Sequence, residues 1–168
     1  GFVPQKATLF AGSIEENIRF GKEEATIEDM EKAANSAAAS EFINKVDGRF
    51  GHELMQGATN LSGGQKQRLS MTRAFIRKPK ILVLDDSTSA IDAISEVQVQ
   101  QALTHDLPDT TVFIVSSKVS SIINADRILV MEDGMIVASG THDELIENSE
   151  VYRSIYATQS GKGVLSYE

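Results

Sequence analysis

The 168 residues contain no cysteine, which excludes disulfides and thiolate metal sites and leaves the compartment open. No apolar run approaches the roughly 18 to 20 residues of a membrane span, and no signal-peptide pattern opens the chain. Basic residues are in the minority: 16 Lys and Arg against 24 Asp and Glu give a net charge of −8 and a pI near 4.9, and the basic ones are scattered. The electrostatic footprint of a nucleic-acid binder is missing, so the reading takes no nucleic acid as partner. Missing too is the phosphate-cradling loop G-x-x-x-x-G-K-[ST]. The stretch Gly57 to Gly64 has glycines but no Lys-Ser or Lys-Thr after them, and Gly161-Lys162-Gly163 lies in a tail.

What is present is ordinary for a globular domain: 41% hydrophobic and 24% charged residues, enough for one sizeable core and at most a small additional subdomain. Gly1-Phe2-Val3-Pro4-Gln5 reads as a strand end entering a loop, with no cap before it, and the expectation is a sequence that begins inside a domain. Pro4 stops the ladder and leaves Gln5 at the turn. Ser13 with Glu16 has capping-box spacing for a short helix, Thr26 opens a second through the alanine-rich run Ala33 to Ala39, and Glu41 to Val46 is a third. Their apolar positions recur at helical spacing, as the core of a small helical subdomain requires.

Leu61-Ser62-Gly63-Gly64-Gln65 stands at the mouth of a longer helix that runs to Ile76, with Leu69, Met71, Thr72, Ala74 and Phe75 expected on one buried side. Bare backbone N–H groups behind a serine, at the positive end of a helix dipole, favour a phosphate. Ser62 and Gln65 have capping-box spacing as well. Taken alone, Ser-Gly-Gly also suits a plain loop. Downstream, Ile81 to Leu84 is a continuous apolar run expected to be a strand buried on both faces. Asp85 and Asp86 follow at its carboxyl end, where open α/β sheets place ligands. Ala93 to Leu103 reads as a helix, Thr111 to Val115 as another buried strand, and Val119 to Asn124 as a short helix. Arg127 to Met131 and Met135 to Ala138 form a hairpin about Asp133-Gly134. Thr141 with Glu144 caps a further helix, and Val151 to Thr158 is the last before a frayed tail.

The order of these motifs resembles the part of an ABC transporter nucleotide-binding domain that runs from the Q-loop to the C-terminus. Val3-Pro4-Gln5 with Leu9 to Ile18 is similar to the Q-loop segment of the exporter branch, and Leu61 to Gln65 to the signature motif. Ile81 to Asp85 is similar to Walker B, Ser89-Ala90-Ile91-Asp92 to the D-loop, and Ala125 to Val130 with Gly140 to Leu145 to the closing segment. The fold so implied is α/β, a P-loop NTPase-type (ABC ATPase) sheet with an inserted α-helical subdomain, its N-terminal part with Walker A absent. In this scheme residues 1–5 are the strand end and Q-loop, 6–77 the helical subdomain with the signature, 78–159 the α/β core and 160–168 a tail.

The resemblance implies ATP and Mg²⁺ as cofactors. Phosphoryl transfer to water needs a metal on the terminal phosphates, a group to position the water, and donors on the spreading charge. Asp85 and Gln5 are the metal candidates. Asp86, Ser117 and Gln5 stand at catalytic positions, and Ser62, Gly63, Gly64, Gln65 and Asp92 at nucleotide-binding ones. Two departures stand out: Asp86 replaces the glutamate that active members carry after the Walker B aspartate, and Ser117 replaces their histidine. Withdrawing a carboxylate by one methylene, of order 1 Å, can cost roughly 100-fold in rate. A third departure is Met55, where exporters often carry a glutamate, with Glu53 close by.

The function so implied is an ATPase domain at the cytoplasmic face of the cell membrane. It would be part of an integral membrane exporter, partnered by transmembrane domains and by a second nucleotide-binding domain of a different subunit. Asp86 and Ser117 would weaken the site on this chain's Walker motifs, while Ser62 to Gln65 would complete the partner's. A homodimer would repeat both substitutions and have no competent site. The alternatives are a non-transport ABC-type ATPase of DNA repair or translation and, for these residues in isolation, a binding module without turnover.

Overall fold

The computed structural model describes residues 1–160. The described residues form two compact units, Gly1–Val115 and one that begins at Ser116. No described helix is long and apolar enough to cross a membrane.

The first unit is built on a three-stranded parallel sheet in which β4 (Ile81–Asp85) lies between β1 (Phe2–Val3) and β5 (Thr111–Val115). Phe2 and Val3 stand opposite Val83 and Leu84, and Asp85 opposite Val115. Between β1 and β4 the chain makes β2 (Gly12–Ser13), α1 (Ile14–Arg19), α2 (Ile27–Ser36), α3 (Ser40–Lys45), β3 (Glu53–Leu54) and α4 (Gly63–Phe75). α5 (Ala93–His105) connects β4 to β5.

Ser13 closes the predicted capping box at α1, and Thr26, expected to open α2, does so in a reciprocal box with Asp29. α2 stops short of the predicted Ala39. Ala38 turns to φ +53°, its amide bonds to Asn35 O at 3.0 Å, and that of Ala39 bonds to Ala34 O at 2.7 Å. These two bonds are the Schellman pattern, so backbone closure overrides an alanine propensity that would have carried the helix on. The antiparallel pair β2–β3 joins Gly12 to Leu54 and Ser13 to Glu53; two-residue strands leave no alternation to detect in sequence.

α4 separates two hydrophobic cores. Leu69 and Ile76 belong to the cluster of Ile14, Ile18, Met30, Phe42 and Leu54 among the helices. Met71, Ala74 and Phe75 belong with Val3, Leu82, Leu84 and Val99 at the sheet. The expected single buried side of α4 is therefore two sides, which is why polar Gln67, Ser70 and Thr72 are buried with the apolar ones. Strands β4 and β5 are covered on one face only. Leu82 and Leu84 are buried and Val112 and Ile114 pack against the core, whereas Ile81, Phe113 and Val115 are exposed. Among the described residues the expected burial on both faces is met on one.

In the second unit, β6 (Ile128–Glu132) and β7 (Met135–Gly140) pair antiparallel with an irregularity at Val130/Met131. Asp133 and Gly134 both have positive φ, +48° and +77°, as the predicted two-residue turn requires. α6 (His142–Asn148) begins in the predicted Thr141–Glu144 box, and α7 (Glu150–Gln159) follows, capped by Ser149. Tyr152 is buried among Val119, Ile128, Val130 and Leu145, and its hydroxyl lies 2.8 Å from His142 Nδ1. The predicted helix at Val119 to Asn124 is a single 3₁₀ turn at Val119–Ser121. Gln159 takes up the backbone there, accepting from Val119 N at 2.8 Å and donating to Ser117 O at 2.6 Å. Of the predicted tail, residues 161–168 lie outside the described residues.

Candidate functional site

β4 delivers Asp85 and Asp86 to the carboxyl edge of the parallel sheet, and β1 delivers Gln5 to the same edge. Asp86 leaves the strand with φ +42°, a left-handed conformation that Asp tolerates better than most residues. Its amide donates to Val115 O at 2.8 Å, and its carbonyl accepts from Ser89 Oγ at 2.8 Å. These bonds hold the strained residue in place. Gln5 Nε2 donates to Asp86 Oδ2 at 3.0 Å, which commits the amide nitrogen of Gln5 and leaves its Oε1 as the free acceptor. Asp86 Oδ1 is buried without a partner among the described residues, as is the hydroxyl of neighbouring Ser87. A buried carboxylate oxygen without a donor is costly and points to a ligand or water that supplies one.

These groups fit Mg²⁺. Asp85 and the amide oxygen of Gln5 are hard oxygen donors at the same strand edge, and Mg²⁺ takes one or two carboxylates while keeping several waters.

The second constellation is the N-terminus of α4. Ser62 Oγ accepts from Gln65 N at 3.2 Å, and Gln65 Oε1 accepts from Ser62 N at 2.8 Å, the reciprocal box the spacing predicted. Ser62 and Gly63 are exposed, and the first-turn amides of Gly63 and Gly64 have no intrahelical acceptor. An ideal Cβ at Gly63 meets nothing within 4 Å, whereas one at Gly64 lies 2.8 Å from the backbone oxygen of Ala90. The two glycines therefore do different things: Gly63 leaves the approach to the helix end open, and Gly64 admits the Ala90 backbone. Lys66 Nζ donates to Gly57 O at 2.9 Å and fixes the preceding loop. Met55, at the third departure, is exposed.

Asp92 caps α5. It accepts from Ser95 N at 2.9 Å and Ser95 Oγ at 2.8 Å, and Arg68 Nη1 reaches its Oδ2 at 3.1 Å. The Ser95 amide first, then its hydroxyl, and more weakly the Arg68 charge, bring the Asp92 carboxyl down to about 2. Ser117 is exposed in the second unit. Sequence reasoning passed over Gln67, 2% exposed, whose Nε2 donates to Pro4 O at 2.9 Å, and over Arg68 as the link from the signature helix to Asp92.

A family model described as ABC transporter matches residues 1–89, just over half of the chain. The chain belongs to the ABC transporter family. It is 44% identical over 96% of its length to an uncharacterized ABC transporter ATP-binding protein, YfiB, of Bacillus subtilis, and covers 28% of that protein. It is 43% identical to ABC transporter B family member 3 of Dictyostelium discoideum, over 96% of this chain and 11% of the relative. The structure of a bacterial Atm1-family ABC exporter with ATP bound superposes with a TM-score of 0.91 at 30% identity, over 95% of this chain and 28% of that one. The fold is the α/β ABC ATPase fold expected from the motif order, present in part. The chain thus spans under a third of each of these relatives.

Proposed function

We propose that this chain is the portion, from the Q-loop onward, of the ATP-binding and ATP-hydrolysing domain of an ABC exporter. The domain would stand at the cytoplasmic face of a membrane and be joined to transmembrane domains. Residues 1–5 serve as strand end and Q-loop, 6–77 as a helical subdomain carrying the signature, and 78–159 as the α/β core. The resemblance to an exporter with ATP bound supports the transport reading. The observation that carries it is the convergence of Gln5, Asp85 and Asp86 at one sheet edge, with an uncommitted carboxylate oxygen among them.

In this function Asp85 and Gln5 Oε1 would hold Mg²⁺, which would offset the charge of the terminal phosphates. Asp86 Oδ1 orients the water, while Oδ2 is held by Gln5. With Asp in place of Glu the carboxylate stops a methylene short, and Ser117 offers a hydroxyl in place of an imidazole. The site on these Walker motifs therefore binds nucleotide and turns it over poorly. Ser62 and the amides of Gly63 and Gly64 serve a second nucleotide-binding domain, on a different subunit, whose own carboxylate is competent. Asp92 contributes by holding the D-loop in place for the nucleotide.

The test uses the full-length pair of subunits. Ser62→Ala is expected to lower ATP turnover by roughly 10-fold or more, the scale of losing a preorganised donor. Asp86→Ala is expected to leave turnover within about twofold of wild type, a change of under ~0.5 kcal/mol. If Asp86→Ala abolishes turnover and Ser62→Ala spares it, the assignment of the two sites is reversed.

A further inference from the structure

Gln67 is a buried polar side chain that the function above leaves unused. It sits in the second turn of α4, 2% exposed, on a helix flanked by two apolar cores. A Leu or Met would fill the position without desolvating an amide, so the amide needs a reason to be there. Its partner supplies one. Gln67 Nε2 donates to the carbonyl of Pro4 at 2.9 Å, 63 residues away in sequence. Pro4 follows the last ladder residue of β1, Val3, and immediately precedes Gln5, whose amide donates to Asp86 Oδ2 at 3.0 Å. Nothing in the ladder holds the chain beyond Val3; the Gln67 amide does so one residue before the site begins.

We propose that Gln67 is a positioning residue. It clamps the Pro4–Gln5 peptide so that Gln5 stays on Asp86 with its Oε1 directed at the metal position, and it makes that placement depend on where α4 stands. Ser62 and Gln67 are five residues apart on one helix, about 7.5 Å along the axis, so the exposed signature end and the Q-loop clamp belong to one rigid element. Movement at the phosphate end of α4 reaches Gln5 by this bond and touches no reacting atom on the way. The proposal rests on the reading of Gln5 as a residue of the nucleotide site.

The test is made in the full-length transporter with its partner subunit. Gln67→Met keeps volume and helix propensity but removes the donor. In the nucleotide-free protein, amide hydrogen exchange in residues 5–8 is expected to quicken by roughly 3- to 10-fold, with exchange in β4 unchanged, since local opening is read segment by segment. In Mg²⁺-dependent binding of a fluorescent ATP analogue to the site that holds Gln5 and Asp86, the variant is expected to raise the Mg²⁺ concentration for half-maximal occupancy by about 3- to 10-fold when Gln5 is present and by less than about 2-fold on a Gln5→Ala background, as residues acting through one another are non-additive. Equal effects on both backgrounds, or unaltered exchange in residues 5–8, overturn the proposal. A Gln5→Ala protein with wild-type Mg²⁺ dependence overturns instead the site reading beneath it. Should Gln67→Met fail to accumulate, Gln67→Glu serves, because its carboxyl donates only when protonated: exchange in residues 5–8 should exceed wild type more at pH 8 than at pH 6, and a pH-independent ratio counts against the clamp.

Discussion

Replacing Gly63 and Gly64 in turn by alanine should give opposite outcomes for fold and function. At Gly64 the added methyl carbon would sit 2.8 Å from Ala90 O, a backbone atom that no rotamer change can clear. Ordinary contact begins near 3.4 Å, so Ala90 or the first turn of α4 must retreat by about 0.6 Å, an overpacking of the kind that costs ~1–3 kcal/mol. The gain in helix propensity from Gly to Ala, at most ~1 kcal/mol and smaller in a first turn, offsets part of this. Gly64→Ala is therefore expected to destabilise by about 1–2 kcal/mol in urea or thermal unfolding of the full protein. At Gly63 there is no obstruction, and Gly63→Ala should be neutral or stabilise by up to ~1 kcal/mol. Its methyl nonetheless stands at the open approach to the helix end, so ATP turnover should fall in Gly63→Ala despite intact stability. Equal stability of the two variants would refute the Ala90 contact as the reason for Gly64. Wild-type turnover in Gly63→Ala would refute the open approach as a ligand site.

Asp92, with its carboxyl brought to about 2 from 3.8, contributes stability that is complete above about pH 4 and lost as pH falls through the region of pH 2, since protonation then favours the unfolded chain. Asp92→Asn keeps a good N-cap and should flatten the pH dependence of unfolding between those limits; an unchanged profile would show that Asp92 is not its source. Leu69, fully buried where α4 meets the helical core, should cost ~2–5 kcal/mol as Leu69→Ala in urea unfolding, and a loss under 1 kcal/mol would contradict the packing of α4 between two cores.

The elements were legible wherever a side chain signals its own conformation. Ser13, Ser62 and Thr141 each announce a helix start by a bond to a residue three positions on, and all three boxes close. Asp133-Gly134 announces the hairpin in the same local way. What sequence did not disclose depends on tertiary partners. The left-handed turn at Ala38 ends α2 on a residue with no intrinsic preference for it, the burial of β4 and β5 on one face depends on what packs there, and Gln159 binds backbone some 40 residues away. At the site, Gln5, Asp85 and Asp86 were readable as chemistry, but the bond that joins Gln5 to Asp86 spans 81 residues and has no local signature. Gln67 escaped notice because a glutamine beside Lys66 and Arg68 looks like one more solvated polar residue until its burial is known.

The same contacts tie the N-terminal end of α4 to residues 90–95. Gly64 meets Ala90 through backbone atoms, and one turn later Arg68 bonds both Asp92 and Ser95 at 3.1 and 3.0 Å, while its guanidinium lies 5.7 Å from the Phe42 ring centroid. The Arg68 side chain is only 15% exposed, so its bonds to Asp92 and Ser95 are shielded from solvent more than a surface pair would be. A close backbone contact at one point and a shielded, multiply bonded arginine a turn away leave little freedom for α4 to rotate against residues 90–95. Displacement of Ser62 and Gly63 is then coupled to the start of α5, the helix that connects β4 to β5.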